Sequence, residues 1–148
     1  MIKLTRIILL SLLITACNSN DKKTNKTAQA QNKAESQDNG ELKASIARGK
    51  LVYNDLCITC HMADGKGVPR AFPPLADSDF LREKQTESIK GVKNGISGEL
   101  VVNGITYNSV MTPLGLDDDE VADVMNYINN SWGNKIDGFV TPDKVSKL

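Results

Sequence analysis

Cys57-Ile58-Thr59-Cys60-His61 concentrates the reactive side chains of this sequence in five consecutive positions. Two thiols with two residues between them fall on one helical turn. From there each can add across one vinyl group of a haem and form a thioether. The histidine that follows directly lies under the iron of such a group and supplies a nitrogen ligand. His61 is the only histidine in the chain, so the second axial ligand is not an imidazole. Other chemistries fit these residues less well. A structural zinc site takes four Cys or His ligands, and here Cys57, Cys60 and His61 stand alone. A thioredoxin-like redox pair needs a βαβ pattern around it, which the flanking sequence lacks. A Cys57–Cys60 disulfide would leave His61 without a purpose. The motif therefore predicts one covalently attached haem c and a function in electron transfer.

The second ligand decides between a closed carrier and an open, reactive iron. Four methionines are present. Met1 belongs to the N-terminal targeting segment, and Met62 is too close to His61 to reach the opposite haem face. Met125 falls in the apolar stripe of a helix, where methionine is ordinary core filling. Met111 remains, in the irregular run from Tyr107 to Gly115, with Pro113 beside it to stiffen the loop. A ligating imidazole also needs an acceptor for its other ring nitrogen, which fixes the ring and raises its basicity. The proline-rich run Ala71-Phe72-Pro73-Pro74-Leu75 can offer a carbonyl, with Pro74 expected and Pro73 next. The alternative is a rigid surface loop without contact to the haem.

The elements that must position these residues follow from periodicity. Leu42, Ile46, Gly49, Tyr53 and Leu56 recur at helical intervals and lead straight into the cysteines. Gly49 weakens a helix, which points to a close helix–helix crossing there. Ser78 to Lys84 and Thr86 to Lys93 read as two short helices, with Thr86 as N-cap and Gly95 as stop. Glu99 to Val102 and Ile105 to Tyr107 flank Asn103-Gly104, the signature of a type I′ hairpin. Leu116 to Trp132 reads as the best-defined helix. Asp117 and Glu120 form its capping box, Leu116 and Val121 its staple, and Gly133 its end. Val121, Val124, Met125, Ile128 and Trp132 make its buried stripe. Thr141-Pro142 opens a short terminal helix.

A chain of 148 residues with 18 basic and 18 acidic side chains is of one-domain size and carries no excess charge toward nucleic acid. Residues 1–16 read as a lipoprotein signal peptide. Lys3 and Arg6 precede an apolar run that is too short for a membrane span. Ile14-Thr15-Ala16-Cys17 resembles the bacterial lipobox, which implies cleavage before Cys17 and a lipid on its thiol. Ordinary signal cleavage and an uncleaved anchor are the alternatives. In each case the domain is exported, and the lipobox places it on the periplasmic side of a bacterial membrane. Residues 17–40 then form a lipidated cysteine and a polar tether. With almost no apolar side chains the tether stays disordered, with a reach of roughly 25–30 Å. The folded domain is expected to span residues 41–148.

The Gly49 and Tyr53 stripe, the Cys57/Cys60/His61 motif, Phe72-Pro73-Pro74-Leu75, the Met111 loop and the final helix with Tyr127 together resemble the class I c-type cytochromes. Asn103-Gly104, Tyr107-Asn108, Met111 and Ser131-Trp132-Gly133-Asn134 look like the haem modules appended to copper nitrite reductases and quinoprotein dehydrogenases. The resemblance covers residue 41 to the end. It implies an all-α fold in which the first and last helices cross around one haem, with a small hairpin before the methionine loop. It further implies His61/Met111 ligation and packing of Gly49 and Tyr53 against Tyr127. One departure is Thr112, which separates Met111 from Pro113 where many relatives place proline directly after the ligand.

The function expected is that of a monomeric, membrane-tethered single-electron carrier, not an enzyme, between a respiratory donor and a terminal reductase or oxidase. A fixed haem subunit of one redox enzyme is the nearest alternative. A gas sensor or peroxidase with a labile methionine is the third.

Overall fold

The computed structural model describes residues 39–148; the signal segment, Cys17 and most of the expected tether lie outside them. Helix α1 is already formed at residue 39, two residues before the expected domain start, and runs to residue 52. Its continuation is not α-helical. Tyr53–Cys57 form one π-helical turn, after which α2 (Ile58–His61) completes the segment. The expected apolar stripe passes from Tyr53 to Leu56, but in the widened turn Leu56 is exposed and Cys57 is buried in its place. Such turns recur at functional sites, and this one delivers Cys57 and Cys60.

Two short helices follow, α3 (Asp79–Glu83) and α4 (Gln85–Asn94). Ser78 caps α3 through its side chain. Thr86 is not the cap of α4: the helix starts one residue earlier, with Lys84 at the cap position and no side-chain cap. Gln85 takes over that end, donating to the carbonyl of Leu81 at 2.7 Å and exchanging hydrogen bonds with Asn129. Gly95 ends α4 at φ 81°, as expected.

Strands β1 (Leu100–Val102) and β2 (Ile105–Tyr107) pair antiparallel, Val102 opposite Ile105 and Leu100 opposite Tyr107. Asn103 and Gly104 both have positive φ, 50° and 73°, as a type I′ turn requires. Asn103 also exchanges hydrogen bonds with Asp79. The ribbon is thereby fastened to the start of α3, with Val102 and Tyr107 turned inward.

Helix α5 (Asp118–Asn129) carries the full capping box of Asp117 and Glu120, a device that contributes about 1 kcal/mol. Val121, Val124, Met125 and Ile128 form its buried stripe, but Ala122, Asp123, Asn126 and Asn129 are buried too. The reason is that α5 packs on several sides, against α1, α4 and α6 (Pro142–Ser146). The helix stops at Asn129, short of the expected Trp132. Asn130 donates its side-chain amide to the carbonyl of Asn126, and Ser131 its hydroxyl to that of Tyr127. These side chains compete with the backbone ladder at the helix end. Trp132 consequently lies beyond the helix at φ 52°.

At the crossing of α1 and α5, a Cβ on Gly49 would overlap the backbone carbonyl of Asp123. Buried polar contacts flank this approach. Ser45 donates to Asp123 at 2.6 Å, and Arg48 grips the same carboxylate at 2.5 and 2.7 Å. Asn126, fully buried, donates to Ser45 and to Val140 and accepts from the Val140 amide. The first helix, the last long helix and the C-terminal segment are thus locked at one node. The result is a helical domain with one two-stranded ribbon. Among the described residues, no helix is long and apolar enough to cross a membrane.

Candidate haem site

Cys57 is buried at the end of the π turn and Cys60 half-buried one turn later. Burial pushes the free Cys57 thiol up to about 11, with neighbouring Cys60 adding to the effect. His61 closes α2. Its Nδ1 lies 3.0 Å from the carbonyl oxygen of Pro73, which makes Nδ1 the protonated nitrogen and leaves the Nε2 lone pair for a metal. Burial lowers the imidazole pKa, with the Pro73 hydrogen bond opposing it. The ring is therefore held neutral, the form that ligates.

The acceptor is Pro73 and not Pro74. Gly67 explains the register. At φ 61° its amide bonds the carbonyl of His61, and a Cβ there would collide with the Phe72 and Pro73 backbone. The proline loop can therefore lie directly on the turn after His61, and Val68 and Phe72 pair to fix it. Downstream, the amides of Leu75 and Ala76 both bond Gly65. Pro74 is instead one of the apolar walls of the cleft.

Aromatic rings brace the same turn from behind. Tyr53, Tyr127 and Trp132 have centroids 5.0 to 5.5 Å apart, within the range of favourable edge and tilted packing. Tyr53 donates its hydroxyl to the carbonyl of Met62 at 2.7 Å, and Trp132 its indole N–H to Ala63 at 2.9 Å. Both carbonyls belong to the turn that leaves His61. Burial raises the Tyr53 pKa well above the phenol range, so this donor stays protonated. The expected packing of Tyr53 on Tyr127 is present. The part of Trp132 was not legible, because it depends on where α5 ends.

Met111 reaches the cleft from another segment. Its backbone pairs with Ile96 through two hydrogen bonds, 2.8 and 2.9 Å. Gly95 permits this, since a Cβ there would press on the Met111 carbonyl and on Pro113. Two residues before Met111, the Ser109 hydroxyl donates to the carbonyl of Ala71. Ile96, Ser109 and Gly67 are supports that side-chain chemistry alone did not mark.

Cys57, Cys60, His61 and Met111 all line one cleft of about 970 Å³, counting its open mouth. Its wall is almost wholly apolar, including Phe72, Leu81, Val92 and Ile128. Met125 also lines it, but this side chain is fully buried within the α5 core, as its stripe position implied. A second recess of about 420 Å³ shares the two cysteines, His61 and Met111 and extends to Leu56 and Leu114. Two thiols, a neutral imidazole and a thioether around an apolar cleft fit a haem. They do not fit a bare ion: among the described residues, no three His, Cys, Asp or Glu side chains gather as a metal cluster.

Comparison with known proteins agrees with this geometry. The family model for cytochrome c matches residues 46–132. Cytochrome c-552 of Thermus thermophilus is 36% identical over 118 residues, covering 74% of this chain and 79% of that protein. The cytochrome c subunit of a quinone alcohol dehydrogenase from Gluconacetobacter polyoxogenes is 38% identical over 104 residues. That match covers 68% of this chain but 22% of the larger subunit. The cytochrome c subunit of a gluconate 2-dehydrogenase from Pantoea cypripedii is 35% identical over 105 residues, 68% of this chain and 23% of that one. The cleft, its donor set and these relatives lead to one conclusion: the chain belongs to the cytochrome c family, electron carriers with covalently bound haem c.

Proposed function

We propose that the protein is a single-electron carrier that would hold one haem c through Cys57 and Cys60, with His61 and Met111 as the ligands to its iron. The observation that carries this reading is the gathering of those four side chains on one apolar cleft. A bound haem supplies the redox couple, its iron gaining or losing one electron. The chain's residues set the conditions for it. Pro73 orients the His61 ring and keeps its proton on Nδ1. Met111 offers a soft thioether, which favours the reduced state relative to a second nitrogen ligand. The apolar wall excludes water and disfavours added charge, with the same effect on the potential. Two protein ligands together leave no position for a substrate, which is why transfer and not catalysis follows.

In this reading Cys17 carries the lipid, residues 18–38 contribute a polar leash, and the domain works on the periplasmic side of a bacterial membrane. The support is the Ile14-Thr15-Ala16-Cys17 lipobox and the composition that follows it. The donor belongs to the respiratory chain and the acceptor is a terminal reductase or oxidase. Denaturing electrophoresis followed by haem staining tests attachment, and a reduced spectrum tests its type. Covalent haem with a c-type α-band is expected. Loss of all haem on denaturation contradicts the reading.

The dehydrogenase relatives favour a second reading, in which the same haem serves one fixed enzyme. Affinity capture of the full chain separates the two. A stable stoichiometric complex supports the subunit, and transient reduction by several donors supports the carrier.

A further inference from the structure

We infer that Ser109 is a positioning residue, a clasp that holds the Met111 loop closed and bars exogenous ligands from the iron. This rests on the His61/Met111 reading above. Asn108 to Leu114 has few holds of its own. Val110 is 65% exposed, and Asn108, Thr112 and Pro113 are exposed as well. The backbone of Met111 is paired with Ile96. Among the described residues, the hydrogen bond that joins this loop to the loop beside His61 is Ser109 to Ala71.

Its far end is firmly seated. Ala71 lies inside the turn closed by the Val68–Phe72 pair, with its own amide bonded to Val68. Two residues on, the Pro73 carbonyl accepts the hydrogen bond from His61 Nδ1–H. One hydroxyl therefore couples the loops that support the His61 and Met111 side chains. At the other end of the Met111 loop, Gly115 has φ 73° and open space where a Cβ would be. A loop with a glycine hinge and an exposed outer face can swing out while the helices stay packed. Opening in this way vacates the Met111 position, and a small ligand can enter only then. Removing one hydrogen bond, at the usual net worth of such a bond, enlarges the open population roughly three- to tenfold.

The test uses the full chain with haem attached, as wild type, S109A and S109T, with imidazole as the probe of the oxidised protein. Carbon monoxide probes the reduced protein, and the methionine-to-iron charge-transfer band reports ligation. The wild type is expected to show the band and to resist both ligands. S109A should keep covalent haem yet bind imidazole roughly three- to tenfold more tightly, with faster carbon monoxide entry. S109T, which keeps the hydroxyl, should return toward wild type. Should S109A fail to accumulate with haem, S109V and S109T form the comparison, being of one shape and differing in the hydroxyl. Equal imidazole affinity with and without the hydroxyl, in proteins that retain the band, overturns the clasp and leaves Met111 ligation standing. Absence of the band in the wild type overturns both.

Discussion

Around His61, three separate devices converge on one short segment. Gly49 lets α1 lie on the backbone of α5, the rings of Tyr53, Tyr127 and Trp132 grip the turn after the histidine, and Pro73 holds its imidazole. Around Met111 the loop is held by one backbone pairing to Ile96 and one hydroxyl from Ser109. The first region is part of the helical core. The second is a strap over it. The difference teaches how such a site divides its work. The His61 side is anchored in the helical core by a close helix crossing, aromatic packing and a backbone carbonyl, and its loss costs stability first. The Met111 side is built from a few hydrogen bonds between loops, and in the proposed carrier their removal changes reactivity first.

The largest effect should come from closing the helix crossing. Gly49→Val places side-chain atoms on the Asp123 carbonyl, and overlap with backbone costs at least about 3–5 kcal/mol. For a domain of this size that lowers the melting temperature by 10 °C or more. Thermal melts of the haem-loaded variant check it. A melt within a few degrees of wild type would show that the crossing is looser than the geometry says.

Met111→Ala comes next and should act on reactivity more than on folding. The variant is expected to fold with covalent haem, lose the methionine-to-iron band, gain carbon monoxide binding and shift to a lower midpoint potential. Its loss of stability should be smaller than that of Gly49→Val. An unchanged band would assign the second ligand elsewhere.

Alkaline titration sharpens the contrast through Tyr53. Its folded pKa is raised, chiefly by burial, so the folded state keeps a proton that the unfolded state releases near pH 10. The stability tied to that proton is complete below about pH 10 and is lost as pH rises further, by up to about 1.4 kcal/mol per pH unit. Denaturant melts between pH 9 and 11, compared with Tyr53→Phe, should show the slope in wild type and a shallower one in the variant. Equal slopes would remove Tyr53 from the account.

The smallest effect is expected far from both regions. Asp117→Ala removes the α5 capping box and should cost about 1 kcal/mol without altering ligand binding. A changed imidazole affinity would mean that the start of α5 and the Met111 loop are not independent.

What the residues disclosed in advance follows the same division. Cys57, Cys60 and His61 stand out by type and spacing and Met111 by the positions of the other methionines, and all four do meet on one cleft. The Asn103-Gly104 turn, the Asp117 and Glu120 cap and the Gly49 crossing were also legible, since each is a local rule with a physical cause. Misread features depend on register or on distant partners. Pro73 and Pro74 differ only in which carbonyl faces the ring, and Gly67, six residues from the histidine, settles that. The π turn at Tyr53–Cys57 puts Leu56 outside and Cys57 inside, a change that a period drawn for an α-helix does not contain. Trp132 lies outside α5 because Asn130 and Ser131 bond back to the helix end. Thr86 lost the cap position to a helix that began one residue earlier, where Gln85 finds Asn129 across the core. Ser109 looks like any loop serine until its partner on the other loop is known.

The central claim is a closed site held by His61 and Met111 on a covalently attached haem. Spectroelectrochemical titration of the purified full chain tests it most directly, because ligation and redox behaviour are read from the same sample. One reversible one-electron transition is predicted, with a c-type α-band in the reduced form and the methionine-to-iron band in the oxidised form. A high-spin oxidised spectrum without that band, together with immediate carbon monoxide binding on reduction, would contradict it.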